Sequence, residues 1–197
     1  MNSTPLARPL LDTERLVLVG PMPGQAAAVC DFQCRNRAHF APWDPPVGES
    51  FFTEPFQAER LHQAAEAFRH GTAFRYWLCL REAPERIIGT IHFSQVARGA
   101  FQNAMLGYAL DAACEGRGLM SEALRAGIAE MFSPRVNLHR IQANHLPDNR
   151  RSAATLARLG FEVEGLAREY LFINGAWRDH VLNALRNPGF VPLAGWA

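Results

Sequence analysis

Two glycines stand just before a run of strong helix formers in the middle of the chain. Gly116 and Gly118 flank Arg117, and residues 119–131 contain no proline and repeat their apolar side chains at helical spacing. Such a turn leaves consecutive backbone N–H groups free at the positive end of a helix dipole, where an anion can approach closely. The pattern predicts either a phosphate-binding turn or an ordinary tight loop before a surface helix, and alone it does not separate the two.

A second helix start follows in the stretch LPDNRRSAATLARLGF. Asn149 is a typical N-cap residue, Ser152 stands three positions later, and Gly160 is placed to end the helix. Strands are expected before both helix starts, over residues 104–110 and 140–145. Where neighbouring strands diverge at their carboxyl ends, a crevice opens that suits an elongated ligand, with one helix start binding its phosphates and the other its amide groups. The two helix starts together favour such a ligand more strongly than either one alone.

The composition narrows the class of protein. The chain has 197 residues, of which 48% are hydrophobic and 20% are charged, as expected for one enzyme-sized domain with a substantial core. A formal net charge of +1 gives no sign of an obligatory nucleic-acid or membrane partner. Every residue in the combined lysine and arginine count is an arginine, which excludes the lysine of a Walker phosphate loop and any Schiff-base mechanism.

The cysteines and histidines form no metal-binding pattern. There is no CxxC or HExxH spacing, so we expect no metal, and the thiols are expected to be reduced. No apolar run approaches the length of a membrane span, and residues 1–11 lack the regions of a signal peptide. These features predict a cytoplasmic protein. The four cysteines are Cys30, Cys34, Cys79 and Cys114.

The periodicity of the sequence predicts the order of the elements. Strands are expected over residues 15–19, 75–80, 86–93, 104–110, 140–145, 161–163 and 177–185, and helices over 25–40, 56–70, 119–131 and 149–159. A proline-rich segment over 42–55 carries aromatic side chains and is typical of either a hydrophobic lid or a linker. We expect one α/β (α+β) domain with a mixed sheet over residues 1–197, with a core over 15–185 and flanking tails over 1–12 and 187–197.

Six segments resemble the GCN5-related N-acetyltransferase (GNAT) family, and within it the branch that acetylates the N-terminal alanine of ribosomal protein S5. They are TERLVL at 13–18, FAPWDP at 40–45, GRGLMSEAL at 116–124, HRIQAN at 139–144, NRRSAATLARLGF at 149–161 and WRDHV at 177–181. The resemblance implies a mostly antiparallel twisted sheet of about seven strands, splayed at a cofactor crevice, with helices on both faces. It also implies direct transfer of an acetyl group from acetyl-CoA to an amine.

The resemblance implies which residues bind acetyl-CoA. The backbone of the glycine turn would surround the pyrophosphate, and the strand before it and the second helix start would bond the pantetheine arm. A backbone N–H of the same strand would stabilise the developing oxyanion. The residues implied are Ala109, Leu110, Gly116, Arg117, Gly118, Leu119, Met120, Ser121, Asn149 and Ser152.

The sequence also departs from the family pattern. Glu115 and Met120 stand where the family usually has glutamine or arginine and a small residue, and we expect Glu115 to face solvent and cap the helix start. Leu156 replaces the tyrosine that many members use as an acid, and Met105 replaces a glutamate base. Ser152 is therefore expected either to protonate the leaving thiolate or simply to cap its helix.

The acceptor side is expected in the last third of the chain. We assign proton removal through water to Glu169 or Glu164, although carboxylates near loops are commonly only solvated. The peptide channel is assigned to Trp43, Tyr170, Trp177 and Asp179, although tryptophan is more often simply packed. An α-amino group has a pKa of about 7.7–8.0 and a lysine side chain one of about 10.4, so an N-terminal amine needs less help to become neutral.

The identity of the acceptor stays open at this point. A protein N-terminus, such as that of a ribosomal protein, competes with a small-molecule amine and with a non-catalytic CoA-binding module on the ribosome. The chain is expected to be a monomer or a homodimer, and Arg150 and Arg151 are suited either to RNA or to the 3′-phosphate of CoA. Cys114 is expected to pack rather than to carry the acetyl group.

Overall fold

Eight strands form one sheet in which every neighbouring pair but one is antiparallel. The computed structural model describes residues 9–192 and residue 195. The strands are β1 Pro9–Asp12, β2 Leu16–Val19, β3 Phe74–Leu80, β4 Ala83–Ala97, β5 Asn103–Leu110, β6 Arg140–His145, β7 Glu162–Ile173 and β8 Ala176–Arg186. Their order is β1-β2-β3-β4-β5-β6-β8-β7, and β5 with β6 is the parallel pair.

Helices cover both faces of this sheet, as the family resemblance implied. They are α1 Ala26–Arg35, α2 Arg37–Phe40, α3 Glu54–His70, α4 Leu119–Phe132 and α5 Arg150–Arg158, with 3₁₀ turns at Pro23–Gln25, Glu49–Phe52 and Ala112–Cys114. The apolar positions of α4 pack on one face, where a side chain at Gly127 would collide with Ile91. Val29 and Phe32 of α1 and Leu61 of α3 pack on the other face, against Trp77.

The strands β5 and β6 diverge at their carboxyl ends. Their pairing runs from Asn103 opposite Arg140 to Leu106 opposite Ala143 and stops there, although β5 continues to Leu110. Both segments alternate apolar residues toward the core, which fixes their register up to that point. The expected crevice is therefore confirmed, and it lies between the strands that precede the two predicted helix starts.

The sheet is larger than the seven strands expected. Residues 9–12, assigned to a flanking tail, form the edge strand β1 against β2. The sequence predicted only a short strand over 161–163, whereas β7, the first strand of the final hairpin, runs from Glu162 to Ile173. Most side chains of β7 are exposed, so no apolar alternation marked it in the sequence. The remainder of the predicted tails at residues 1–8, 193, 194, 196 and 197 lies outside the described residues.

Candidate active site

The glycine turn has the geometry that its sequence predicted. Gly116 and Gly118 have φ values of 73° and 76°, in the left-handed region that glycine adopts without steric cost. Gly118 is the N-cap of α4 and has no side chain to satisfy the first N–H groups of the helix. Leu119, Met120 and Ser121 bury their side chains, so they present only backbone N–H groups at the helix start. This end of α4 is suited to an anion.

A network on the inner side of the turn holds it in place. Glu122, in the first turn of α4, accepts hydrogen bonds from the Thr13 hydroxyl at 2.6 Å and from the Arg15 backbone N–H at 2.8 Å. The Arg15 guanidinium pairs with the same carboxylate at 2.7 Å and donates to the Arg117 carbonyl at 2.8 Å. The Arg117 guanidinium is exposed and makes no hydrogen bond or ion pair with the rest of the described chain, so it is available to a phosphate.

The second helix start also forms as expected. Asn149 is the N-cap of α5, and its Oδ1 accepts the Ser152 backbone N–H at 3.0 Å. Its amide nitrogen has no partner among the described residues. Asn149 therefore keeps a donor for a carbonyl oxygen in the crevice.

The Ser152 hydroxyl is not a helix cap, because Asn149 fills that position. Its Oγ lies 2.6 Å from the Tyr108 hydroxyl, across the gap between α5 and β5. The alternative in which Ser152 simply caps its helix is therefore wrong. Leu156, at the place of the family's tyrosine, is buried in the core and offers no proton.

Sequence reasoning missed Tyr108. Burial raises the pKa of its hydroxyl, although the hydrogen bond to Ser152 and the charge of Arg158 act in the opposite direction. The group is therefore a protonated donor at neutral pH. Its position as a lone tyrosine at the carboxyl end of a strand before the glycine turn was the available signal, but only the fold brings it to Ser152.

The alternation of β5 decides which of its main-chain groups face the crevice. The Asp111 N–H donates to the Ile88 carbonyl of β4 at 2.7 Å. Because alternate residues of a strand point their N–H and C=O groups to opposite sides, those of Ala109 also point to β4. The groups of Tyr108 and Leu110 point the other way, toward the gap that β6 leaves open.

Glu115 behaves differently from the expectation that it caps the helix and faces solvent. Its carboxylate pairs with Arg151 of α5 and lies 3.3 Å from His39 Nε2. No side chain caps the start of α4. Arg151, which belongs to another element, gives a stronger charge-assisted bond than the helix dipole provides, so the prediction for Glu115 was wrong. The pair links the glycine turn to the start of α5, whereas Arg150 remains exposed.

Cys114 packs in the core, as expected. It is buried among the apolar residues beneath α4. Burial, with a contribution from Asp111, raises the pKa of its thiol. A protonated, enclosed thiol is a poor nucleophile.

The acceptor-side candidates gather on the β7–β8 hairpin. The pairing of β6 with β8 ends at His145 opposite Val181, so residues 176–180 of β8 extend beyond the crevice end of β6. Opposite them, β7 bulges between Ala167 and Leu171. Glu169 lies in this bulge with φ of 48°, and its backbone N–H donates to Asp179 Oδ1 at 2.9 Å. Glu169 therefore lies in a bulged strand.

Two aromatic candidates lie on the same hairpin. The Tyr170 hydroxyl accepts a hydrogen bond from Asn144 Nδ2 at 3.1 Å, which joins the bulge to β6. Trp177 is 60% exposed, and its ring contacts Phe172 with the centroids 5.9 Å apart. Trp43 is 39% exposed and lies in the proline-rich segment that follows α2. Neither tryptophan side chain is buried in the core.

Glu164 lies apart from these residues. Arg140 binds its carboxylate through two hydrogen bonds of 3.0 and 2.8 Å, and this partner lowers the pKa of Glu164. Arg140 is the first residue of β6, five positions before the crevice end and about 16 Å away at the rise of a strand. An ion-paired carboxylate at the far end of the strand is poorly placed to remove a proton.

No group of three histidine, cysteine, aspartate or glutamate side chains in residues 9–192 and 195 could hold a metal ion. In the same residues, no helix combines the length and hydropathy required to cross a membrane.

Residues 15–162 match the model of the acetyltransferase (GNAT) domain. The ribosomal protein uS5-alanine N-acetyltransferase of Escherichia coli (strain K12) is 42% identical over 182 residues, which cover 92% of this chain and 93% of that protein. The structure of a ribosomal-protein-S5-alanine acetyltransferase from Vibrio fischeri is similar at a TM-score of 0.88 and 38% identity, covering 92% and 98% of the two chains. The structure of Mycobacterium smegmatis RimJ in complex with CoA-disulfide is similar at a TM-score of 0.81 and 30% identity, and the match covers 87% of this chain and 81% of that chain.

Proposed function

The chain belongs to the GNAT acetyltransferase family, and from this premise we propose that it transfers the acetyl group of acetyl-CoA to the N-terminal α-amino group of a ribosomal protein in the cytoplasm. The observation that carries the proposal is the crevice between β5 and β6, flanked by two helix starts, in a chain 42% identical to a uS5-alanine N-acetyltransferase. The family establishes that the chain is an N-acetyltransferase, and the proposal concerns the identity of the acceptor.

The residues of the crevice fit the donor. The N–H groups at Leu119, Met120 and Ser121 and the free Arg117 guanidinium would bind the pyrophosphate, in the turn that Gly116 and Gly118 shape. The main-chain groups of Leu110 and the amide of Asn149 would bond the pantetheine arm from its two sides. The alternation of β5 favours Tyr108 over the predicted Ala109 as the second main-chain partner.

Direct transfer requires attack by the amine, cleavage of the carbon–sulfur bond and protonation of the leaving thiolate. The neutral amine attacks the thioester carbonyl, whose developing negative charge a backbone N–H of β5 stabilises. The carbon–sulfur bond then breaks, and the thiolate takes a proton from the Ser152 hydroxyl, either directly or through water. Tyr108, hydrogen-bonded to Ser152 at 2.6 Å, holds that hydroxyl in place and can replace its proton.

The proton of the attacking amine is removed on the acceptor side of the crevice, away from Ser152. Of the two candidate carboxylates, Glu169 fits better, because it lies in the β7 bulge beyond the crevice end of β6 and forms no ion pair with any described residue. Glu164 is bound by Arg140. Water carries the proton from the amine to Glu169, and an α-amino group with a pKa of about 7.7–8.0 needs no stronger base. Tyr170, Trp177 and Trp43 would line the path of the acceptor chain, with Asp179 holding the bulge.

The test is CoA release by the purified protein with acetyl-CoA and three kinds of acceptor. These are a short peptide beginning Ala-His with a free N-terminus, the same peptide with a blocked N-terminus and an internal lysine, and a panel of polyamines and free amino acids. Turnover of the free N-terminus at a kcat/KM well above that of the other acceptors supports the proposal. Turnover of small amines alone, or of none of the acceptors, overturns it.

A further inference from the structure

A cavity of about 210 Å³ lies between α3 and the sheet, outside the CoA crevice. It is called the basic pocket here and is defined by Gln57, Arg60, Arg75, Trp77 and His92. Arg75 and Trp77 are neighbouring same-face positions of β3, and their partners across β4 are His92 and Thr90. The pocket is therefore built on the sheet face that carries α1 and α3.

The basic pocket contains two guanidinium groups and no carboxylate. Arg75 lies 2.9 Å from His92 Nδ1 and 3.5 Å from the Thr90 hydroxyl. Arg60 donates to Gln57 Oε1 at 3.0 Å and stacks on the Phe51 ring at 4.6 Å. Neither arginine forms an ion pair with any part of the chain that the structure describes. All their polar partners are neutral.

The electrostatics of the pocket reflect this arrangement. Burial and the charge of Arg60 lower the pKa of Arg75 to about 10, which leaves it charged at neutral pH. Burial and then the charges of Arg75 and Arg60 lower the pKa of His92 to about 3, so His92 is a neutral acceptor. The buried Nε1 of Trp77 has no hydrogen-bond partner. Half-buried cations without a counterion are unfavourable, and an anionic ligand reduces that cost.

The basic pocket adjoins the strand on which transfer takes place. His92 pairs directly with Gly107 of β5, three residues before Leu110. Ala109 packs on the α1 and α3 face, and Gly107, two residues earlier, points the same way. A Cβ at Gly107 would meet no atom within 4 Å. The basic pocket and the exposed middle of β5 therefore lie on the same face of the sheet, opposite α4.

We propose that the basic pocket binds a carboxylate of the acceptor, so that the enzyme selects N-termini with an aspartate or glutamate within the first few residues. Arg75 and Arg60 supply charge-assisted donors, and Gln57 and His92 orient them. The inference rests on the proposed function for its acceptor. The same chemistry could come from the α-carboxylate of a free amino acid, which the experiment separates.

The experiment compares matched peptides with glutamate or glutamine at the second, third or fourth position. In the wild type, kcat/KM is expected to be about 10- to 100-fold higher for glutamate at one of these positions. Arg75→Gln is expected to bring that ratio close to one. Arg69→Gln, on the exposed side of α3, is the matched control and keeps the wild-type ratio. A wild-type ratio near one at every position, or a ratio that survives Arg75→Gln, overturns the inference.

Two further measurements distinguish a failure of the basic pocket from a failure of the proposed peptide acceptor. Free glutamate and glutamine are tested as acceptors with the same variants, since a preference for free glutamate that depends on Arg75 supports the pocket while overturning the peptide acceptor.

Inorganic sulfate is then titrated in a thermal unfolding assay. The midpoint is expected to rise more in the wild type than in Arg75→Gln, and equal rises in both overturn the inference without reference to turnover. Arg75→Gln should unfold at or above the wild-type temperature, because it removes a charge that no carboxylate balances.

Discussion

The hydroxyl groups of Tyr108 and Ser152 lie 2.6 Å apart and join β5 to α5 where β5 has separated from β6. Tyr108 stands on the strand that runs into the glycine turn, and Ser152 stands in the first turn of the helix that Asn149 caps. The contact therefore places a protonated pair at the inner end of the crevice. It also gives Ser152 a partner that fixes its direction.

The first prediction concerns this pair. Ser152→Ala is expected to lower kcat by about 100-fold with little change in KM for acetyl-CoA, because it removes the proton donor to the thiolate. Tyr108→Phe is expected to have a smaller effect, about 10-fold, because it removes only the positioning bond. Steady-state kinetics measure both values. Ser133→Ala, at the far end of α4, is the control, and an Ser152→Ala enzyme with wild-type kcat would remove Ser152 from the mechanism.

The second prediction concerns the glycine turn. Gly118→Ala is expected to cost about 1–2 kcal/mol of unfolding free energy, because alanine at φ of 76° is strained, and to raise KM for acetyl-CoA. Its Cβ would lie 3.6 Å from Arg15 Nη2, which is ordinary contact, so the effect comes from the backbone. Gly24→Ala meets no atom within 4 Å and serves as the control. An unchanged KM with a normal fold would speak against the turn as the pyrophosphate site.

The third prediction is a pH dependence carried by Glu122. Burial acts to raise the pKa of this carboxyl, but hydrogen bonds from Thr13 and Arg15 and the charge of Arg15 bring it below its ordinary value. A lowered pKa in the folded state adds stability above the unfolded pKa of about 4.3, and that stability is lost as the pH falls through the folded value. Glu122→Gln should thus be less stable by about 1–2 kcal/mol at pH 7.

The difference between wild type and Glu122→Gln should shrink as the pH falls from about 5 through the lowered pKa. Thermal unfolding measured between pH 7 and pH 3 gives this comparison. Glu59→Gln, an exposed carboxyl on α3, is the matched control. A gap between the two proteins that stays constant with pH would show that the charge of Glu122 does not hold the turn.

The fourth prediction follows from the buried thiol. Cys114→Ala is expected to keep kcat within about twofold of the wild type, because direct transfer needs no acyl-enzyme. The raised pKa of Cys114 and its place in the core make its thiol a poor nucleophile. Intact mass after incubation with acetyl-CoA should show no acetylated protein. A loss of activity in Cys114→Ala together with an acetylated wild-type thiol would contradict direct transfer.

Local patterns in the sequence predicted the geometry of the glycine turn and of the Asn149 cap. Gly116, Gly118 and Asn149 act through their own backbone or the next helical turn, so sequence spacing is enough to place them. Tyr108, Arg75 and His92 acquire their surroundings from strands distant in the chain, and no spacing in the sequence shows those contacts. Glu115 was misplaced because its partners, Arg151 and His39, come from two other elements. The bulge at Glu169 was missed because β7 is largely exposed and lacks alternation.

The most direct test of the central claim is to locate the acetyl group on a single peptide that offers two amines. The peptide begins with alanine, carries a free α-amino group and contains one internal lysine, and tandem mass spectrometry after reaction with acetyl-CoA identifies the modified nitrogen. We expect the acetyl group on the α-amino nitrogen with the lysine unmodified. Acetylation of the lysine side chain, or an unmodified peptide alongside rapid acetylation of a small amine, would contradict an N-terminal protein acetyltransferase.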